Sequence, residues 1–203
     1  GGVESMISII GLGTGGSNIA TMFKELPQYN VYCINDKVKR TSKYNFKLKT
    51  QTTPEECEGD IPDMSKFFSS VDDHVQFFVI GSTMSSNYSL GILEQIKDKK
   101  IDLFYVRPDT ELLSGVPRLM ENAAFGVLQE YARSGLLNSI TLISNLKMEE
   151  TLASVPVKQY YQSLNNLIKS SVHYVNYFNH NEPEIGITMT PSSPFQYCRV
   201  TVL

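Results

Sequence analysis

Short apolar runs alternate with stretches of helical spacing along most of the chain. Residues 6–10, Met6-Ile7-Ser8-Ile9-Ile10, form a mostly apolar run ended by a glycine cluster, which is how a buried parallel strand reads. Residues 18–26 then place Ile19, Met22, Phe23 and Leu26 at helical spacing, and Pro27 ends the pattern. A second strand follows over 29–35, with Val31, Cys33 and Ile34, so that strand, glycine turn, helix and strand make a right-handed βαβ unit. Further strands are predicted over 75–80, 101–106 and 139–144, and helices through Ile92, Leu93 and Ile96, over 116–131 and over 158–178. The alternation predicts an α/β fold with a doubly wound, mainly parallel, Rossmann-like sheet.

The span 6–178 reads as one domain. From about residue 179 the composition turns to Pro183, Gly186, Pro191 and Pro194, and 179–203 reads as a C-terminal tail whose strand-like end adds to a sheet edge. At 203 residues the chain is long enough to form a core without disulfides, and its three cysteines, Cys33, Cys57 and Cys198, have no metal or disulfide spacing. Scattered cysteines, no apolar run of about 18 residues and no export pattern predict a cytoplasmic protein without a membrane span. His74, His173 and His180 fit no metal-ligand spacing, so no metal site is expected from them.

Charge is strongly segregated in one stretch. Residues 37–49 carry Lys37, Lys39, Arg40, Lys43, Lys47 and Lys49 without an acid, whereas 55–73 carry seven acids against Lys66 alone. This is read as a solvated, loop-like excursion with local ion pairing, or as complementary surfaces for self-association or a phosphate-facing loop. Nucleic acid is not an expected partner, because the net charge is -3 and no stacking motif accompanies the basic run.

Chemistry is sought in the loops beyond the carboxyl ends of the strands. Gly11-Leu12-Gly13-Thr14-Gly15-Gly16-Ser17-Asn18 holds four glycines in six residues and leads into a helix, whose first amides offer an anion site. The loop also satisfies G-x-G-x-x-G through Gly11, Gly13 and Gly16, with Asp36 twenty residues beyond, which suits a dinucleotide ribose. After the third long strand, Gly81-Ser82-Thr83-Met84-Ser85-Ser86-Asn87 is a second small, hydroxyl-rich segment, readable as an anion cradle or as a helix cap.

Taken together, these segments resemble the nucleotide-binding domain of the tubulin/FtsZ family. The run from Ile9 to Asn18 is similar to the first phosphate loop of FtsZ-type proteins, and Asn35 occupies the place of an asparagine that follows the family's second strand. Arg107-Pro108, Gly115 and Arg118 resemble a strand-end segment whose last arginine faces the nucleotide. Asn145 resembles an asparagine near the ribose and base, while Tyr161, Asn165 and Asn166 match the aromatic and polar residues that meet guanine. The resemblance implies a GTP or GDP ligand, with magnesium, held by Gly11, Gly13, Thr14, Gly15, Gly16, Ser17, Asn18, Asn35, Gly81, Ser82, Thr83, Arg118, Asn145, Tyr161 and Asn165. It further implies homo-oligomers or filaments as partners.

Three departures shape the expectation. The family's GGGTGTG signature is replaced by residues 81–87, which keep one glycine, and residues 173–183 lack the paired aspartates with which the family hydrolyses GTP in the neighbouring subunit. About 25 residues beyond 178 leave no room for the family's usual second domain. The resemblance therefore implies binding with weak or absent hydrolysis, and no catalytic residue is assigned. Two other readings stay open: a dinucleotide- or adenylate-binding module using Asp36, and a degenerate structural or interaction protein that binds no nucleotide.

Overall fold

A computed structural model describes residues 6–107, 126, 128–144, 159–178, 187–189 and 199–202. Its centre is one eight-stranded sheet built from β1 (Ile7–Leu12), β2 (Tyr29–Asn35), β3 (Asn45–Lys47), β4 (His74–Ile80), β5 (Lys100–Arg107), β6 (Ser139–Ser144), β7 (Ile187–Met189) and β8 (Arg199–Val202). Their spatial order is β3-β2-β1-β4-β5-β6-β8-β7. All neighbours pair in parallel except β7 with β8. The first six strands thus follow the 3-2-1-4-5-6 order of a doubly wound fold, and the order reverses between β1 and β4.

Parallel pairing requires both sheet faces to be covered, and the apolar runs supply a side chain to each face in turn. Ile9, Phe78 and Phe104 point to one face, where α1 (Gly13–Met22) brings Ile19, Ala20 and Phe23 and the long helix brings Leu164, Ile168 and Val172. Phe78 and Phe104 stack there with ring centres 4.7 Å apart. Ile10, Phe77 and Leu103 point to the other face. That face is covered by α2 (Pro54–Gly59), α3 (Ser65–Phe68), α4 (Ser89–Glu94) and α5 (residues 128–134). The long helix, α6 (Tyr160–Phe178), has the 3.6-residue spacing expected of it.

Three differences from the sequence reading have physical causes. The stretch 37–73 is not one solvated excursion: β3, α2 and α3 form within it, and Leu48, Cys57, Met64, Phe67, Phe68 and Val71 are buried in the core. Helix α1 begins at Gly13 rather than at Asn18, because β1 turns into it without an intervening loop. Past residue 178, β8 lies inside the sheet beside β6, and the short antiparallel β7 takes the edge.

Candidate nucleotide site at the sheet switch point

The turn from β1 to α1 lies where the strand order reverses, and its tightness is set by glycine. Gly13 has φ +74°, and a β-carbon placed on it would lie 2.9 Å from the Ser85 Cβ, so the first glycine turn and the segment after β4 stand against each other. A β-carbon on Gly16 would meet the Phe78 carbonyl oxygen at 2.6 Å. Contact with Phe78 is how α1 packs closely on β4.

No side chain caps the start of α1, Leu12 being its N-cap residue, and no acid occupies its first turn. The free amides and the positive end of the helix dipole therefore favour an anion. Around this turn Thr14 and Asn18 are exposed, Gly15 is half-buried, and Ser17 is buried with its hydroxyl 3.5 Å from the Gly11 carbonyl. Beside it, at the end of β2, Asn35 is 7% exposed. Its Nδ2 donates to Thr14 Oγ1 at 3.4 Å, and its Oδ1 is buried with no hydrogen-bond partner. A buried acceptor without a donor costs about 1–3 kcal/mol, so Asn35 holds an unmet valence next to the glycine turn. Asp36, the ribose ligand of the dinucleotide reading, accepts instead from the Thr50 hydroxyl at 3.0 Å.

The segment after β4 is wired differently. Gly81 N–H donates to the Val106 carbonyl, Ser82 stands at φ 59°, and residues Met84–Tyr88 make one 3-10 turn. The Thr83 and Ser86 hydroxyls donate to the Ile80 and Thr83 carbonyls at 2.7 and 2.6 Å. Each hydroxyl has a single proton, so these two are spent inside the segment. The left-handed backbone at Ser82, where the tubulin/FtsZ-like resemblance has glycine, predicts a clear mutational signature. Ser82→Val is expected to lose about 1–2 kcal/mol in urea unfolding, whereas Ser82→Gly keeps the backbone in an unstrained region.

Of the other residues singled out from sequence, Asn165 is half-buried and Asn166 exposed on α6, which packs against α1. Tyr161 lies in α6, but its side chain, like Arg118 and Asn145 entirely, falls outside the described residues. Gly11, Gly13, Thr14, Gly15, Gly16, Ser17, Asn18, Asn35, Gly81, Ser82 and Thr83 all fall at the carboxyl ends of β1, β2 and β4. Among the described residues no cluster of three His, Cys, Asp or Glu side chains could hold a metal, and no helix is long and apolar enough to cross a membrane.

A second polar cluster, not anticipated from sequence, lies toward the opposite end of the sheet. Asp102 is 8% exposed. Its Oδ1 accepts from Asn138 and Ser139 at 2.7 and 2.6 Å, and its Oδ2 pairs with His74 Nε2 at 2.6 Å and accepts from Gln76 at 3.4 Å. Burial pushes this carboxyl up, but the hydrogen bonds from His74, Ser139 and Asn138 outweigh it and hold the group below its ordinary value. Gln76 and Asn176 exchange two amide hydrogen bonds of 2.7 Å, and Asn176 also donates to the Tyr29 hydroxyl, which lies 2.6 Å from His173 Nδ1. This chain of bonds ties α6 to β2 and β4. Its signal in the sequence is a polar residue interrupting each apolar run: Gln76 in β4 and Asp102 in β5.

A glycine turn at the reversal point of a 3-2-1-4-5-6 sheet defines the class: a doubly wound, Rossmann-like α/β protein. No protein-family model matches the chain, and no curated protein matches it. Solved structures do. An empty FtsZ dimer from M. jannaschii matches with a TM-score of 0.66 at 14% identity, over 91% of this chain and 58% of that one. A point mutant of FtsZ from M. jannaschii matches with a TM-score of 0.65 at 14% identity, over 90% of this chain and 59% of that one. The fold is FtsZ-like, and the chain spans less than two thirds of the length of these FtsZ chains.

Proposed function

We propose that the protein binds a guanine nucleotide in the manner of the tubulin/FtsZ family, self-associates or serves as a scaffold, and hydrolyses GTP weakly or not at all. The observation that carries this reading is the buried, unpartnered Asn35 Oδ1 beside an uncapped glycine helix start. One unmet acceptor and a row of unmet amides are what a nucleotide supplies with partners, a hydroxyl for the first and phosphate oxygens for the second. In this reading the backbone from Gly11 to Asn18 surrounds the phosphates, Asn35 meets a ligand hydroxyl, and the Gly81–Thr83 segment closes the far side. Arg118, Asn145, Tyr161 and Asn165 take the phosphate, ribose and base contacts implied by the resemblance, and the site is placed in the cytoplasm.

Phosphoryl transfer needs groups that orient water and neutralise charge. Residues 11–18 and 81–87 contain no carboxylate, so a magnesium ion would be held mainly by the phosphates and water. Self-association is carried over from the FtsZ dimer whose fold this chain shares, and is tested separately below.

Asn35→Ala tests the site directly. It removes an unsatisfied acceptor, so the ligand-free variant is expected to melt no lower than the wild type, whereas the rise in melting temperature with GDP or GTP is lost. At about 100 times the dissociation constant that rise corresponds to about 2.7 kcal/mol. An unchanged nucleotide response in Asn35→Ala would remove this residue from the site.

A second reading, an interaction protein that binds no nucleotide, is supported by two observations. A β-carbon on Gly15 would lie 2.2 Å from Ile80 Cδ1, so that side chain stands over the glycine turn, and the Thr83 and Ser86 hydroxyls are already spent. It predicts the same melting temperature with and without any nucleotide.

A further inference from the structure

The edge of the sheet at β3 carries charge that no other described residue answers. Lys37, Lys39, Arg40 and Lys47 are exposed and make no ion pair among the described residues. Lys43 lies over the ring of Tyr44, 5.2 Å from its centre, and that ring is 41% exposed in the middle of the cationic stretch. Next to this patch, α2 presents Glu55 and Glu58, also exposed and also without an ion pair among the described residues. The border between the two is marked by an ion pair, Lys49 to Asp60 at 3.6 Å.

The backbone at this edge is partly occupied by the preceding turn. The Lys47 N–H donates to Thr41 Oγ1 at 3.0 Å, and the Asn45 carbonyl accepts from the Ser42 N–H at 2.7 Å. Two of the four backbone groups of β3 that point away from β2 are thus occupied by the chain itself, so a partner meets mainly side chains here. Opposite patches side by side on one surface have a simple closed solution. A two-fold axis through their border lays each cationic patch on the acidic patch of the other molecule, in an isologous contact that uses all four patches.

We infer that a second copy of this chain docks on this edge, the cationic stretch 37–47 of each molecule against α2 of the other, with Tyr44 and Arg40 at its centre. Aromatic and arginine side chains are the residue types that most often anchor interfaces. Because exposed ion pairs are individually weak and screened by salt, the contact is strongly dependent on ionic strength. The inference rests on the proposed function for its self-associating partner but is independent of nucleotide.

The test is sedimentation velocity on the full chain at about 20 mM and about 500 mM salt, a range over which the screening length falls severalfold. The wild type is expected to dimerise at the lower salt and to dissociate at the higher, with at least a tenfold change in dissociation constant. A cationic-patch variant combining Lys39→Glu, Arg40→Glu and Lys43→Glu is expected to be monomeric, as is an α2 variant combining Glu55→Lys and Glu58→Lys. An equimolar mixture of the two is expected to dimerise again, because opposite charges then face each other at both contacts. Retained dimers in either variant alone, a monomeric wild type at low salt, or a mixture that stays monomeric would overturn the inference. So would a wild type that stays monomeric while its cationic patch retains DNA. Melting curves with GDP on the same variants separate the two readings: an unchanged nucleotide response with lost dimers concerns this edge alone.

Discussion

Gly11→Ala is expected to destabilise the protein by about 3 kcal/mol or more, or to leave it unfolded. The added carbon would lie 2.3 Å from the Gly16 carbonyl oxygen, 2.6 Å from its carbon and 2.7 Å from the Ser17 Cα. All three are backbone atoms of the same tight turn, so no side chain can rotate away. Relief requires α1 to move off β1, and α1 carries Ile19, Ala20 and Phe23 into the core behind it. Gly59→Ala is the matched control, since a carbon there meets no atom within 4 Å, and it is expected to leave stability within about 1 kcal/mol of the wild type. Thermal unfolding of the two variants side by side checks both; equal losses would mean that the turn is not packed as described.

Asp102→Asn is expected to cost about 2–4 kcal/mol at neutral pH. The carboxylate accepts at both oxygens, from Asn138 and Ser139 on one and from His74 and Gln76 on the other. An amide can keep only one acceptor, so its NH2 group faces donors on whichever side it turns, and buried donors are left without partners. The pH dependence has a definite sign. The folded carboxyl titrates below its unfolded value, so the stabilisation is whole above the unfolded carboxylate range near pH 4 and is lost as pH falls through the folded value. The difference in unfolding free energy between wild type and Asp102→Asn is therefore expected to shrink below about pH 4. A difference that stays constant from about pH 7 to about pH 3 would show that the charge of Asp102 contributes nothing.

The strands were legible because burial on both faces leaves runs such as Phe77, Phe78 and Val79 with no polar interruption except where the network needs one. Helix α6 was legible from Leu164, Ile168 and Val172, and the glycine turn from its composition. What failed was the stretch 37–73, where charge density suggested solvent. Its elements are six residues or fewer, too short for periodicity to register, and their burial comes from tertiary contact: Phe67 packs on Tyr32 and Phe46, and Cys57 lies under the turn at Met84. Phe67, Phe68 and Val71, spaced for one face of a helical turn, were the available signal. At the candidate site, the sequence placed the residues by strand ends, which the sheet order makes coherent. It could not reveal that Asn35 is left with an unmet acceptor, that Ser82 takes a left-handed backbone, or that Asp36 is engaged by Thr50. Those facts depend on how β2 and the loops after β3 and β4 come to lie beside one another.

The central claim is a guanine-nucleotide site at the β1–α1 turn, and calorimetric titration of the wild-type chain with GDP, GTP, ATP and NAD, each with magnesium, tests it most directly. The account predicts saturable binding of GDP and GTP near one per chain, abolished by Asn35→Ala, with no heat from ATP or NAD. Saturable binding of ATP or NAD, or no heat from any of the four, would contradict it.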